Sequence, residues 1–89
     1  MDIDTAKRDA EMARTETNRS WEAMDDTAEE MYHAARSSDR GCFMALLPRY
    51  RSLCREFDSN VCLAATASRI LREAQANAIA QAKAQAKEP

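Results

Sequence analysis

The sequence predicts an all-α protein: a long helical hairpin with a short middle helix, together a small three-helix bundle. Alanine, the best helix former, supplies 18 of the 89 residues, and glycine occurs once. Residues 4–37 contain neither proline nor glycine. Apolar residues recur at steps of three and four, which is typical of amphipathic helices. A chain of this length has room for one small domain, covering residues 1–89.

The first helix is predicted at about residues 4–37, with Asp2 and Asp4 suited to its first turn. Its apolar stripe follows a heptad pattern typical of a coiled coil. The stripe comprises Ile3, Ala6, Ala10, Ala13, Thr17, Ser20, Met24, Thr27, Met31 and Ala34, with a parallel flank of Trp21, Ala28, Tyr32 and Ala35. Only the second half has bulky side chains, so we expect that half to hold the packing.

A turn is predicted at residues 37–41, where Gly41 can adopt the left-handed conformation that ends helices. A middle helix is predicted at about residues 43–57. Pro48 lies within it, and it indicates either a kink or a new helix that starts at the proline. We favour the new helix, because proline in a first turn loses no hydrogen bond.

The third helix is predicted at about residues 61–87, after three good capping residues at positions 58–60. Alanine occupies every even position from Ala74 to Ala86. This alternation spreads alanine around the helix, so a solvated extension is favoured over a close-packing seam. The two long helices are expected to lie antiparallel, with the middle helix across one end.

The sequence gives little support for catalysis or metal binding. His33 is the only histidine, and we interpret it as an ordinary helical side chain. The spacing of Cys42, Cys54 and Cys62 lacks the short pairs of zinc sites. Cys54 and Cys62 flank the predicted turn, so only they are expected to be able to form a disulfide, although three small core thiols are the favoured interpretation. We therefore predict no catalytic, cofactor or metal site.

Charge is distributed unevenly, with a net of −6 in residues 1–39 and +4 in residues 40–89. Five acids occupy residues 22–30 without a base: Glu22, Asp25, Asp26, Glu29 and Glu30. Arginines cluster later, at positions 40, 49, 51, 55, 69 and 72. We favour an acidic helix beside a basic one, joined by ion pairs at the rim, over nucleic-acid contact or nucleic-acid mimicry.

The large apolar residues concentrate between positions 43 and 63, where the alanine-rich stripes supply too little bulk to cover them. We therefore predict a partner-binding surface formed by Phe43, Leu46, Leu47, Tyr50, Leu53 and Phe57. Such a chain is expected to be marginal alone and to gain stability from a partner, either another protein or a second copy.

The expected function is a non-enzymatic interaction module, such as a small accessory subunit, adaptor or chaperone of a larger complex. The alternative is a small phage or mobile-element inhibitor whose acidic helix blocks a nucleic-acid-binding partner. Nucleic acid itself is not an expected partner. The sequence has no apolar run long enough for a transmembrane segment and no cleavable signal or transit peptide, so we expect an intracellular, soluble protein.

Overall fold

The chain folds as two long helices packed against each other. The computed structural model describes residues 2–87, in which α1 spans Ile3–Arg36 and α2 spans Arg40–Ala86. The hairpin measures 77 × 15 × 14 Å. The all-α prediction is confirmed for the described residues. The three-helix bundle is wrong, because the predicted middle and third helices are one continuous helix.

Pro48 lies inside α2 and does not start a new helix. A proline in a helix interior costs about 3 kcal/mol, since it has no N–H for the carbonyl four residues earlier. Phe43 and Leu46 precede it and Tyr50 and Leu53 follow it, and all four are half-buried. Burying a large apolar side chain fully contributes about 1.5–3 kcal/mol, so four half-buried ones outweigh the proline. A break would turn one of these pairs away from α1.

Residues 58–60 also lie within α2, so their predicted capping role is wrong. The Asn60 side chain donates a hydrogen bond to the Ser20 hydroxyl, which is buried on α1. The Thr17 hydroxyl is 3.1 Å from the Asn60 carbonyl oxygen and 2.8 Å from that of Ala13. Polar residues occur here because they form a hydrogen-bonded layer between the helices, and such layers fix helix register.

In the turn between the helices, the residue in the left-handed conformation is Ser38, and not Gly41 as the sequence had predicted. Ser38 has a positive φ of 56°, while Gly41 sits in the first turn of α2. The Asp39 N–H donates to the Ala34 carbonyl at 2.8 Å and the Ser38 N–H to the Ala35 carbonyl at 3.1 Å, which is a Schellman ending. The Asp39 carboxylate then accepts from the Cys42 N–H at 3.0 Å and caps α2. One aspartate thus joins both helices.

The packing between the helices follows two heptad stripes. On α1, the predicted stripe contains all five buried residues of that helix: Ala6, Ser20, Thr27, Met31 and Ala34. No described residue of α2 is fully buried. The ring centroids of Trp21 and Phe57 lie 5.5 Å apart, and the sulfur atoms of Met24 and Cys54 lie 3.5 Å apart. Residues of the two helices are therefore level when their numbers add to about 78.

The last part of α2 extends beyond α1. Because Ile3 is level with about residue 75, some ten residues of α2, roughly 15 Å of helix, have no helix beside them. Gln81, Ala82 and Lys83 are exposed, as is Ile79. The prediction of a solvated helical extension is confirmed for this segment.

Candidate interaction surface

The six residues predicted to bind a partner lie on the side of α2 that faces α1. All six, Phe43, Leu46, Leu47, Tyr50, Leu53 and Phe57, are half-buried. Phe43 lines a pocket with Ala34 and Ala35, and Leu46 lines another with Glu30 and His33. These six residues mainly pack between the two helices. Their role in binding a partner stays a prediction.

A second set of apolar residues lies beside that interior and is more exposed. Trp21 is 51% exposed, Tyr32 56%, Met44 51% and Val61 41%. Trp21 and Val61 hold the heptad position next to the packed stripe, and Tyr32 and Met44 hold the position just outside it on the same side. We call this surface the tryptophan face, which also includes Ala28, Ala35, Leu47 and Cys54.

The two helices contribute to the tryptophan face together. In an antiparallel pair, a flanking position of one helix lies beside the same flanking position of the other. Farther from the turn, Lys7 and Arg14 on α1 and Ser68 on α2 hold this flanking position, and all three line one groove. The opposite side is lined by Glu30 and Cys42 near the turn. The tryptophan face is thus apolar near the turn and polar and charged farther along.

The sequence had marked the α1 part of this face as a flank of the packed stripe. The bulky residues of the second half of α1 were expected to hold the packing. Met31 is buried and Met24 is half-buried, as expected, but Trp21 and Tyr32 are more than half exposed. Of the α2 part, Leu47 was among the predicted partner-binding residues, whereas Met44 and Val61 were missed. These residues share one side only if the helix is continuous through Pro48 and Asn60, and local turn signals had argued against that.

The expected ion pairs between the helices are not formed among the described residues. The three ion pairs found there join residues three or four apart on one helix: Arg19 with Glu16, His33 with Glu29, and Arg69 with Glu73. All are well exposed, so each contributes little to stability. The prediction that rim ion pairs join an acidic α1 to a basic α2 is therefore wrong within one chain, and most of these charges face solvent.

The cysteines are free thiols, with Cys42 and Cys62 exposed and Cys54 half-buried. Cys54 and Cys62 lie eight residues apart on one helix, which separates them by about 12 Å along its axis. A disulfide requires Cα atoms within about 7 Å, so the predicted pairing is excluded within one chain. The interpretation of all three as small core thiols is also wrong. No cluster suited to a metal ion occurs in residues 2–87.

Tyr50 and Cys54 lie one turn apart on α2, where the Cys54 side chain affects the pKa of Tyr50. A side-chain hydrogen bond with the Cys54 thiol, together with the charge of the thiolate, raises the pKa of Tyr50 above its usual value. His33 is exposed, with its imidazole 3.8 Å from the Glu29 carboxylate and its ring against Tyr32.

Comparison with protein-family models, curated proteins and solved structures finds no match to this chain. Neither α1 nor α2 contains a stretch apolar enough to cross a membrane. The functional argument therefore depends on the surface of the hairpin itself.

Proposed function

We propose that this protein is a non-enzymatic interaction module that docks the tryptophan face of its hairpin onto a partner, in the manner of a small accessory subunit, adaptor or chaperone. The observation that carries the proposal is the set of four roughly half-exposed residues, Trp21, Tyr32, Met44 and Val61, on one side of the helix pair. Several large apolar side chains exposed on one side of a protein often mark an interaction site. Aromatic residues at the centre of such surfaces carry much of the binding energy.

The thinness of the hairpin supports the same proposal. A two-helix structure 14–15 Å across gives its large side chains one neighbour to pack against, and α2 has no fully buried residue. A third or fourth helix placed on the tryptophan face would complete their burial. Each large side chain buried in this way contributes about 1.5–3 kcal/mol.

Capture of partners by the tagged full-length chain from its native source tests the proposal. Replacing both Trp21 and Val61 with serine should abolish capture. The matched control replaces Met12 and Leu63, which are 61% and 60% exposed on other sides, with serine and should retain it. Circular dichroism checks that both variants remain helical. Equal capture by the two variants would show that the tryptophan face is not the docking surface.

One observation favours the alternative function, an inhibitor of a nucleic-acid-binding protein. The acidic stretch Glu22, Asp25, Asp26, Glu29 and Glu30 is mostly exposed and has no basic partner on α2. Reversing Glu22, Asp26 and Glu29 to lysine discriminates the two functions. Loss of partner capture in this variant, with capture intact in the Trp21 and Val61 variant, would support the inhibitor.

A further inference from the structure

The tryptophan face has the size, shape and charged borders to receive a second copy of the same chain. This inference rests on the proposed function and names the partner. We propose that two hairpins pack face to face through Trp21, Tyr32, Met44 and Val61 into a four-helix bundle with both turns at the same end.

The available area matches that of a stable dimer. Two hairpins laid together along α1, which has 34 residues, share a footprint of roughly 50 by 15 Å, or about 750 Å². Specific protein interfaces bury about 800 Å² on each partner. The exposed halves of Trp21 and Tyr32 alone supply about 200 Å². The apolar part of the face lies near the turn, so it would form the centre of one half of the bundle.

Two symmetric arrangements bring the tryptophan faces together. With the turns at opposite ends, α1 lies over α1 of the other copy, and the acidic borders of the two faces meet. With the turns at the same end, α1 lies over α2 of the other copy. Every neighbouring pair of helices is antiparallel in both arrangements.

Charge decides between the two arrangements. The outer border of the face carries Asp4, Glu11, Asn18, Asp25 and Tyr32 on α1, and Met44, Arg51, Asp58, Ala65 and Arg72 on α2. In the same-end arrangement, residues whose numbers add to about 78 are level, as they are within one hairpin. Asp25 then meets Arg51 of the other copy, Asp4 meets Arg72, and Tyr32 meets Met44.

The remaining border pairs in this arrangement contain no like charges. Asn18 lies level with Asp58, and Glu11 with Ala65. No ion pair among the described residues occupies Asp25 or Arg51 within the hairpin, so both remain free to pair with the second copy. Opposite charges at a border favour this orientation over the one that places acids on acids.

A charge exchange measured by sedimentation equilibrium tests the arrangement. Purified wild-type chain should form dimers, and Asp25→Arg or Arg51→Asp should each weaken dimerisation about tenfold. The double variant should recover affinity to within about threefold of wild type. Asp26→Arg, the same change one residue away and off the border, is the control and should have little effect. Circular dichroism confirms that each variant remains helical.

A distance measurement tests independently whether the turns of the two copies lie at the same end of the bundle. Ala76 is exposed near the far end of α2, and a spin label at Ala76→Cys can be placed in a chain whose three cysteines are replaced with alanine. Turns at the same end place the two labels about 25 Å apart. Turns at opposite ends, with the same overlap along α1, place them more than about 50 Å apart. The longer distance would overturn the arrangement.

Failure of this inference is distinguishable from failure of the proposed function. If the double variant associates as weakly as the single variants, the borders do not meet and the arrangement is wrong. If the wild type stays monomeric but captures another protein through Trp21 and Val61, only the second-copy proposal fails. If the chain is monomeric and captures nothing through this face, both proposals fail.

Discussion

The half of the hairpin near the turn and the half far from it are built from different side chains. Near the turn, Met31 is buried against α2, and bulky residues on α2 exceed what α1 can cover. Far from the turn, most packed positions on α1 are small and Ala6 is almost fully buried, although Ile3, Ile70 and Leu71 are half-buried there. Large side chains thus stabilise one half and also leave apolar surface exposed there. Small side chains let the other half pack closely, and its exposed Met12 and Leu63 lie on sides other than the tryptophan face.

The polar layer of Thr17, Ser20 and Asn60 lies at the border between these halves. Alanine-rich stripes alone would tolerate sliding by a whole heptad, because each step replaces one small residue with another. Hydrogen bonds between the helices penalise such a shift, since it would leave buried polar groups without partners. The layer therefore gives the far half the register that bulky residues give the near half.

The largest expected effect comes from removing the proline in the near half. Pro48→Ala restores an N–H within α2 and should raise the free energy of unfolding by about 3 kcal/mol. Chemical denaturation followed by circular dichroism measures this change. Arg55→Ala, an exposed change one turn after Tyr50, is the control and should alter stability by less than about 0.5 kcal/mol. An unchanged or lower stability for Pro48→Ala would mean that the packing on α1 depends on the proline.

A matched pair of truncations compares the two halves directly. Met31→Ala should lower the free energy of unfolding by about 2–3 kcal/mol, because Met31 is buried near the turn. Ile3→Ala should cost less than about 1 kcal/mol, because Ile3 is half-buried at the far end of α1. Thermal or urea unfolding at one fixed protein concentration measures both. Similar losses from the two variants would argue against the contrast between the halves.

Asn60→Ala tests the polar layer and should cost about 1 kcal/mol, since the buried Ser20 hydroxyl loses its donor. Asn60→Leu should be stabilising or neutral, but it should let the helices adopt more than one register. Spin labels at opposed positions on the two helices would then report a broadened distance distribution. A single narrow distance in Asn60→Leu would show that the apolar residues alone set the register.

The smallest expected effect is a change in the pKa of Tyr50, in the half near the turn. Cys54→Ala should lower the pKa of Tyr50 toward its usual value, because the thiol raises it in the native chain. Absorbance titration in a Tyr32→Phe background isolates Tyr50. A pKa raised on folding contributes stability below the unfolded pKa, and that contribution is lost as pH rises through the folded pKa. An identical titration curve with and without Cys54 would contradict the interaction.

The sequence predicted α1 closely, because its stripe of small and apolar residues continues without interruption from Ile3 to Ala34. It failed for α2, where Pro48 and residues 58–60 gave local signals for helix ends. Those signals describe the preference of an isolated segment. The packing of α2 against α1 outweighs them, and Asn60 uses its polar side chain between the helices instead of at a helix start.

The candidate surface was only partly predictable for the same reason. The excess of large apolar residues was visible, but which of them face inward depends on the phase of α2 through Pro48. With α2 continuous, the predicted partner-binding residues Phe43, Tyr50 and Phe57 face the hairpin interior. Met44 and Val61 join Trp21 and Tyr32 on the exposed side.

The fluorescence of Trp21, the only tryptophan, tests the central claim most directly, because this side chain lies in the tryptophan face and is 51% exposed. Emission and acrylamide quenching are measured while the purified chain is titrated from the monomeric to the associated range. We expect a blue shift and weaker quenching as association proceeds, since a second copy covers the indole. Association detected by sedimentation without any change in Trp21 emission or quenching would contradict the claim that this face is the docking surface.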